Sequence, residues 1–151
     1  MTFYPPPEYI AGFFDANGTV YVADTARNAP RLRISITTSH KLVLVSFQAA
    51  LHVGTITLHQ RRAVYDDQWR LNVTSIPEVG RFLDEIGPHC IIKNTQMILA
   101  QKFIDHIKDY GIGRALDAGA LAVRLELAYA MSEANGYGRK LVDLEVEGTP
   151  S

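Results

Sequence analysis

The sequence predicts an α+β fold: one domain with a single four-stranded antiparallel sheet, helices on one face of it, and extra helices toward the C-terminus. Three observations carry this. Segments of strict apolar–polar alternation occur in two pairs, each pair joined by a polar connection, which is the pattern of two hairpins. Apolar segments with helical spacing precede and separate the hairpins and follow the second, so the order is α-β-β-α-β-β-α with further helices. A chain of 151 residues, 47% hydrophobic and 21% charged, buries one core and is too short for a two-domain enzyme.

The elements follow in order. Pro5-Pro6-Pro7 and Glu8 open a short helix that ends at Asn17-Gly18, with proline and an acid at its start. It is nearly all apolar and must be buried against something. Thr19 to Thr25 alternates as a strand, Asn28 to Pro30 turns, and Arg31 to Thr37 alternates strictly. Ser39-His40-Lys41 caps a helix over about 40 to 52, with Leu42, Val45 and Leu51 in its apolar stripe and Gly54 at its end. Thr55 to His59 and Gln68 to Thr74 form the second hairpin across the polar connection Gln60 to Asp67. Ser75-Ile76-Pro77-Glu78 has capping-box spacing and opens a helix to about Ile86. Gly87-Pro88 breaks the chain, and helices follow over about 90 to 109 and 115 to 134. Residues 1 to 140 are expected to form the domain and 141 to 151 an acidic tail.

Composition removes several classes. No apolar run approaches the roughly 20 residues of a membrane span, and the N-terminus lacks the features of a secretory signal, so the expectation is an intracellular protein. The single cysteine, Cys90, allows no internal disulfide and no cysteine zinc cluster, and reads as a core thiol. His40 and His52 have no metal-ligand partners at fixed spacing, Asp66-Asp67 reads as a solvated turn, and no GxSxG, HExxH or P-loop pattern occurs.

The net charge of -1 argues against an anionic partner, but the charges are segregated. From Arg27 to Thr74 there are seven basic residues against two acidic, whereas from Glu126 onward there are two basic against five acidic. This is the pattern of a one-sided anion-binding surface. Alternation sorts the strand residues into faces. Val20, Val22, Leu32, Ile34, Ile36, Ile56, Leu58, Trp69, Leu71 and Val73 form the core face. The other face collects Thr19, Tyr21, Thr25, Arg31, Arg33, Ser35, Thr37, Thr55, Thr57, His59, Gln68, Arg70, Asn72 and Thr74, with Arg27 and Arg61 near the strand ends. Those side chains suit base edges and phosphates. A half-buried antiparallel sheet also has a polar outer face with no ligand at all, and alternation does not separate the two readings.

Residues 9 to 18, Tyr-Ile-Ala-Gly-Phe-Phe-Asp-Ala-Asn-Gly, resemble the LAGLIDADG signature of homing endonucleases and their relatives. Ala11-Gly12, two bulky apolar residues, Asp15, a small residue and Gly18 stand in register, and a hairpin follows. The resemblance extends over about residues 8 to 110. It implies a saddle-shaped sheet that binds a long, roughly palindromic duplex, and a nuclease that hydrolyses phosphodiester bonds in both strands, of a kind associated with introns or inteins. A single-motif chain of this type pairs its signature helix with that of a second copy, so a homodimer is expected through Ile10, Ala11, Gly12, Phe13, Phe14 and Asp15. The small side chains at Ala11 and Gly12 would let the two helices approach closely.

The resemblance also implies a divalent metal, magnesium, held at the helix end beside the scissile phosphates by Asn17 and the Ala16 carbonyl. Asn17 stands where the family carries its metal-binding acid. An amide oxygen brings no negative charge and binds magnesium less well than a carboxylate, so cleavage is expected to be impaired. Asp15, two residues back, faces another direction, and its expected role is structural hydrogen bonding near the helix end. By the same resemblance Lys93, in Ile92-Lys93-Asn94-Thr95-Gln96, stabilises charge or positions water; a solvated lysine at a helix start is the alternative. Thr38 takes the place of a polar active-site residue, or caps the following helix with Ser39. Beside the metal-dependent endonuclease stands a non-catalytic reading on the same fold, a DNA-binding regulator or a maturase that binds intron RNA.

Overall fold

The computed structural model describes residues 4–25, 29–61, 66–110 and 116–136. Helix α1, Pro7–Asn17, starts after Pro6 and runs directly into β1, Gly18–Ala23. Then come β2, Arg31–Thr38; α2, Lys41–Leu51; β3, Thr55–Gln60; β4, Gln68–Val73; and α3, Ile76–Ile86. A 3-10 turn over Gly87–His89 leads to α4, Asn94–Tyr110, and α5 spans Ala118–Ala134. The four strands form one sheet in the order β1-β2-β4-β3, antiparallel throughout. This is the expected α+β architecture.

One face of the sheet is the core. Val20, Leu32, Ile34, Ile36, Leu71 and Val73 are buried beneath Phe14 of α1, Phe47 of α2, Phe82 of α3 and Phe103 of α4. The rings of Phe14 and Phe82 meet edge-on at 5.1 Å and those of Phe13 and Phe47 at 5.3 Å, so aromatic contacts tie α1 to both neighbouring helices. Gly18 lets α1 turn straight into β1: a Cβ there would lie 2.0 Å from the Phe14 ring. Ser75 caps α3 as half of the expected capping box, its Oγ accepting from Glu78 N and donating to Glu78 Oε2, while Glu78 Oε1 accepts from Gly54 N. Cys90 is buried, and its thiol is pushed up to about 11, first by burial and then by the nearby Asp15 charge. It is an inert thiol at physiological pH.

Several sequence expectations need correction. Helix α2 buries Leu44, Phe47 and Leu51, while Leu42 is 81% exposed and Val45 faces solvent. Leu42 to Val45 is apolar at every position, so the composition left the helix phase open. No side chain caps this helix: the N-cap position is His40, without a side-chain bond, and its backbone N–H donates to Thr38 Oγ1 at 3.2 Å. Leu58, assigned to the core, is exposed at the sheet's outer edge, whereas Ser35 on the polar face is buried. Strand β1 ends at Ala23 because Asp24 turns left-handed at φ 60°, which leaves Thr25 beyond the strand. Helix α4 begins at Asn94 rather than 90, because residues 91 to 93 form a turn. Arg27, Asn28, the start of the last helix at 115 and the tail over 141–151 lie outside the described residues.

Candidate nucleic-acid interface

The face of the sheet opposite the core is a grid fixed by strand register. Thr57, Arg70 and Thr37 stand side by side across β3, β4 and β2. In the next row Thr55, Asn72, Ser35 and Thr19 cross all four strands, and beyond it Arg33 pairs with Tyr21 and Arg31 with Ala23. The four strands contain no acidic residue. Arg31 and Arg61 are exposed, as are Thr19, Thr25, Thr55, Thr57, His59 and Thr74. Tyr21, Arg33, Thr37, Gln68, Arg70 and Asn72 are half-buried by their neighbours.

Hydrogen bonds brace part of this grid. Arg70 donates from Nε to Thr37 Oγ1 at 3.2 Å, and its Nη2 lies 3.1 Å from His59 Nε2. Asn72 donates from Nδ2 to Thr57 Oγ1 at 3.0 Å and to the Thr55 carbonyl at 3.4 Å. Its amide nitrogen is therefore engaged within the sheet, and its oxygen is the group left to accept from a base amine. Alternation placed His59 and Arg70 on one face, but the register shift between Leu58 and Gln60, beside His59, is not revealed by periodicity.

At the end of α1 the signature residues separate. Asn17 and Ala16 are exposed, and the Asn17 amide nitrogen donates back to the Phe13 carbonyl at 3.3 Å. Asp15 is buried, with Oδ2 accepting from Ile91 N at 2.9 Å and Oδ1 from Lys93 N at 3.0 Å. Burial alone would raise its carboxyl. The backbone N–H groups of Ile91, Lys93 and Ile92, with the Lys93 charge, outweigh burial and hold its pKa below the ordinary 3.8. Asp15 thus has the structural role expected of it, and it anchors the turn that carries Lys93. Thr38 is buried, with its hydroxyl oxygen accepting from the backbone N–H of His40, the residue before α2.

The donor set at this helix end does not fit a magnesium site. Its exposed residues are Asn17, whose amide oxygen is neutral, and Ala16, which has no side-chain donor, while Asp15, the carboxylate of the motif, is buried with each oxygen accepting from a backbone N–H. Among the described residues no group of three or more His, Cys, Asp or Glu side chains is placed to hold an ion.

The expected dimer residues also divide. Ile10, Ala11 and Phe14 are fully buried in the chain's own core, and Asp15 is nearly so. The sheet and α3 cover one side of this short helix. Gly12 is exposed, and a Cβ added there would meet nothing within 4 Å. The open stripe of α1 is therefore Glu8, Gly12 and Ala16, with Phe13 half-buried beside it.

Helix α1 ends at Asn17, Gly18 follows it as the first residue of the β1–β2 hairpin, Asp15 is buried and Asn17 is exposed. Residues 6–87 match the family described as LAGLIDADG-like domain. The chain belongs to this family. An archaeal intron-encoded homing endonuclease complexed with DNA is similar to this LAGLIDADG-like chain at TM-score 0.69 and 22% identity, over 85% of this chain and 82% of that one. The homing endonuclease I-CvuI in complex with its target, crystallised with calcium, is similar at TM-score 0.69 and 18% identity, over 96% of both chains. The meganuclease I-AabMI bound to uncleaved DNA is similar at TM-score 0.70 and 15% identity, over 97% of this chain and 50% of that one. A comparison with curated proteins gives no match by sequence. Among the described residues no helix is long and apolar enough to cross a membrane.

Proposed function

We propose that this LAGLIDADG-like chain binds a long duplex DNA site as a homodimer through its sheet, and that, with Asn17 at the helix end, it cuts that site slowly or not at all. The observation that carries the reading is the open face of the sheet, where Arg31, Arg33, Gln68, Arg70 and Asn72 share one surface with no acid on any strand. Arginine donates to guanine and phosphate, and amides and hydroxyls to the remaining edges. The dimer is supported by the open Gly12 stripe, and by the match of this chain to half of the I-AabMI chain.

The second reading, a non-catalytic DNA-binding regulator, is favoured by one observation. The end of α1 offers an amide where an acid would be needed, and Asp15 does not replace it because it is buried, facing the backbone of residues 91 to 93.

Selection of a bound sequence from a random duplex pool, followed by cleavage assays of the selected site with magnesium, tests both. Retention of the pool at low salt and its release at high salt are expected. The chain as it stands should leave the bound site intact. Asn17→Asp should restore cutting of both strands, and Lys93→Ala added to it should lower the rate again, because a cation that stabilises developing charge is lost. Efficient cleavage by the unchanged chain would refute the role given to Asn17. A tightly bound site left uncut by Asn17→Asp would favour the regulator, and retention of intron RNA in preference to duplex would point to a maturase.

A further inference from the structure

Arg70 is held in place before any ligand arrives. Its side edge, formed by Nε and Nη2, is occupied from both sides of β4: Thr37 Oγ1 on β2 accepts from Nε at 3.2 Å, and His59 Nε2 on β3 stands 3.1 Å from Nη2. Because an arginine is always a donor, that contact requires His59 Nε2 to accept. Thr37 and Thr57 are the direct cross-strand neighbours of Arg70, and His59 stands diagonally from it, two residues along β3 from Thr57. The register shift between Leu58 and Gln60 gives β3 one extra residue at His59, a device that re-aims a side chain.

A guanidinium gripped along its side edge has its end edge left, one N–H each from Nη1 and Nη2, in a fixed plane above the sheet. Two parallel donors in a plane match the O6 and N7 acceptors that guanine shows in the major groove. Fixing the side chain beforehand also removes the cost of ordering it on binding. We propose that His59 is a positioning residue for base recognition: with Thr37 it holds Arg70 so that its end edge reads a guanine at one position of each half-site. This inference rests on the proposed DNA-binding role of the sheet.

The test is selection from a random duplex pool with four variants beside the unchanged chain, each checked for folding by thermal unfolding. The unchanged chain should enrich guanine at one position of the half-site. Arg70→Ala should abolish that preference, a loss of about 5- to 150-fold for a bidentate base contact. His59→Ala and Thr37→Val should each weaken it at the same position, by about 5-fold for one hydrogen bond, and leave the other positions alone. His59→Gln, whose Oε1 can reach the place of the imidazole Nε2 and accept from Nη2, should keep it. If the unchanged chain enriches a site and His59→Ala keeps the guanine preference, or loosens every position equally, this inference fails while the DNA-binding reading stands. If the unchanged chain enriches no sequence, the DNA-binding reading itself fails.

Discussion

Asp15 and Asn17 lie two positions apart on one helix and meet opposite surroundings. The Asp15 carboxylate is buried against three backbone N–H groups and Lys93, which together hold its pKa below 3.8 despite burial. A lowered pKa means that its contribution to stability is full above the unfolded value of 3.8 and is lost as the pH falls through the folded value. Urea unfolding at a series of pH values should therefore show an acid limb that Asp15→Asn flattens. At neutral pH the same substitution should cost roughly 2–3 kcal/mol, since a charged acceptor of two hydrogen bonds is replaced by an amide that can satisfy only one. Asn17 is bound differently, donating to the Phe13 carbonyl at the helix C-terminus. A carboxylate there loses that bond and meets the negative end of the helix, so Asn17→Asp should lower metal-free stability by about 0.5–1 kcal/mol. Added calcium should raise the melting temperature of Asn17→Asp more than that of the unchanged chain, because binding to the folded state alone stabilises it. Equal shifts in both would show that the added charge makes no metal site.

At the scale of elements, legibility followed how uniquely a pattern fixes its phase. The strands were readable because a period of two with arginine or threonine between apolar residues permits one orientation, and β2 and β4 adopt it. Helix α3 was readable because Ser75 and Glu78 cap it and its buried residues Val79, Phe82, Leu83 and Ile86 recur at helical spacing. In α2, Leu42, Val43, Leu44 and Val45 are all apolar, and only packing against the sheet chose Leu44 and Phe47 over Leu42. Helix α1 posed a different problem. Its motif identified it, but which of its small residues faces inward could not be read from the string, and Ala11 is buried whereas Gly12 is open. Within one protomer nothing requires glycine at position 12, and glycine in a helix costs about 1 kcal/mol relative to alanine. A residue that weakens the helix without serving its own chain is explained if another helix lies against it. Gly12→Leu should then shift the chain from dimer to monomer in analytical ultracentrifugation while keeping its circular dichroism. If the unchanged chain sediments as a monomer, or Gly12→Leu remains a dimer, the pairing through α1 is wrong.

For the whole molecule, net charge was the least informative quantity, because -1 averages a basic stretch carrying the second strand and second hairpin with an acidic C-terminal stretch. The fold makes that segregation spatial by placing Arg31, Arg33 and Arg70 on one face of one sheet. Salt dependence converts this into a measurement that tests symmetry and charge together. For duplex DNA the slope of log K against log salt is about -0.9 for each phosphate neutralised. In a homodimer every substitution occurs twice, so removing one phosphate-contacting arginine should change the slope by about 1.8, against about 0.9 for a monomer. Arg31, the exposed member of the set, is the natural phosphate contact, and Arg31→Ala should weaken binding to all sequences alike with that doubled change. Arg70, braced by Thr37 and His59, should behave in the opposite way. Arg70→Ala should leave the slope nearly unchanged and lower affinity for the selected site more than for random duplex. A slope change near 0.9 for Arg31→Ala would mean that one protomer binds alone. No change in slope or affinity for Arg31→Ala, Arg33→Ala and Arg70→Ala combined would remove the sheet face as the DNA-binding surface.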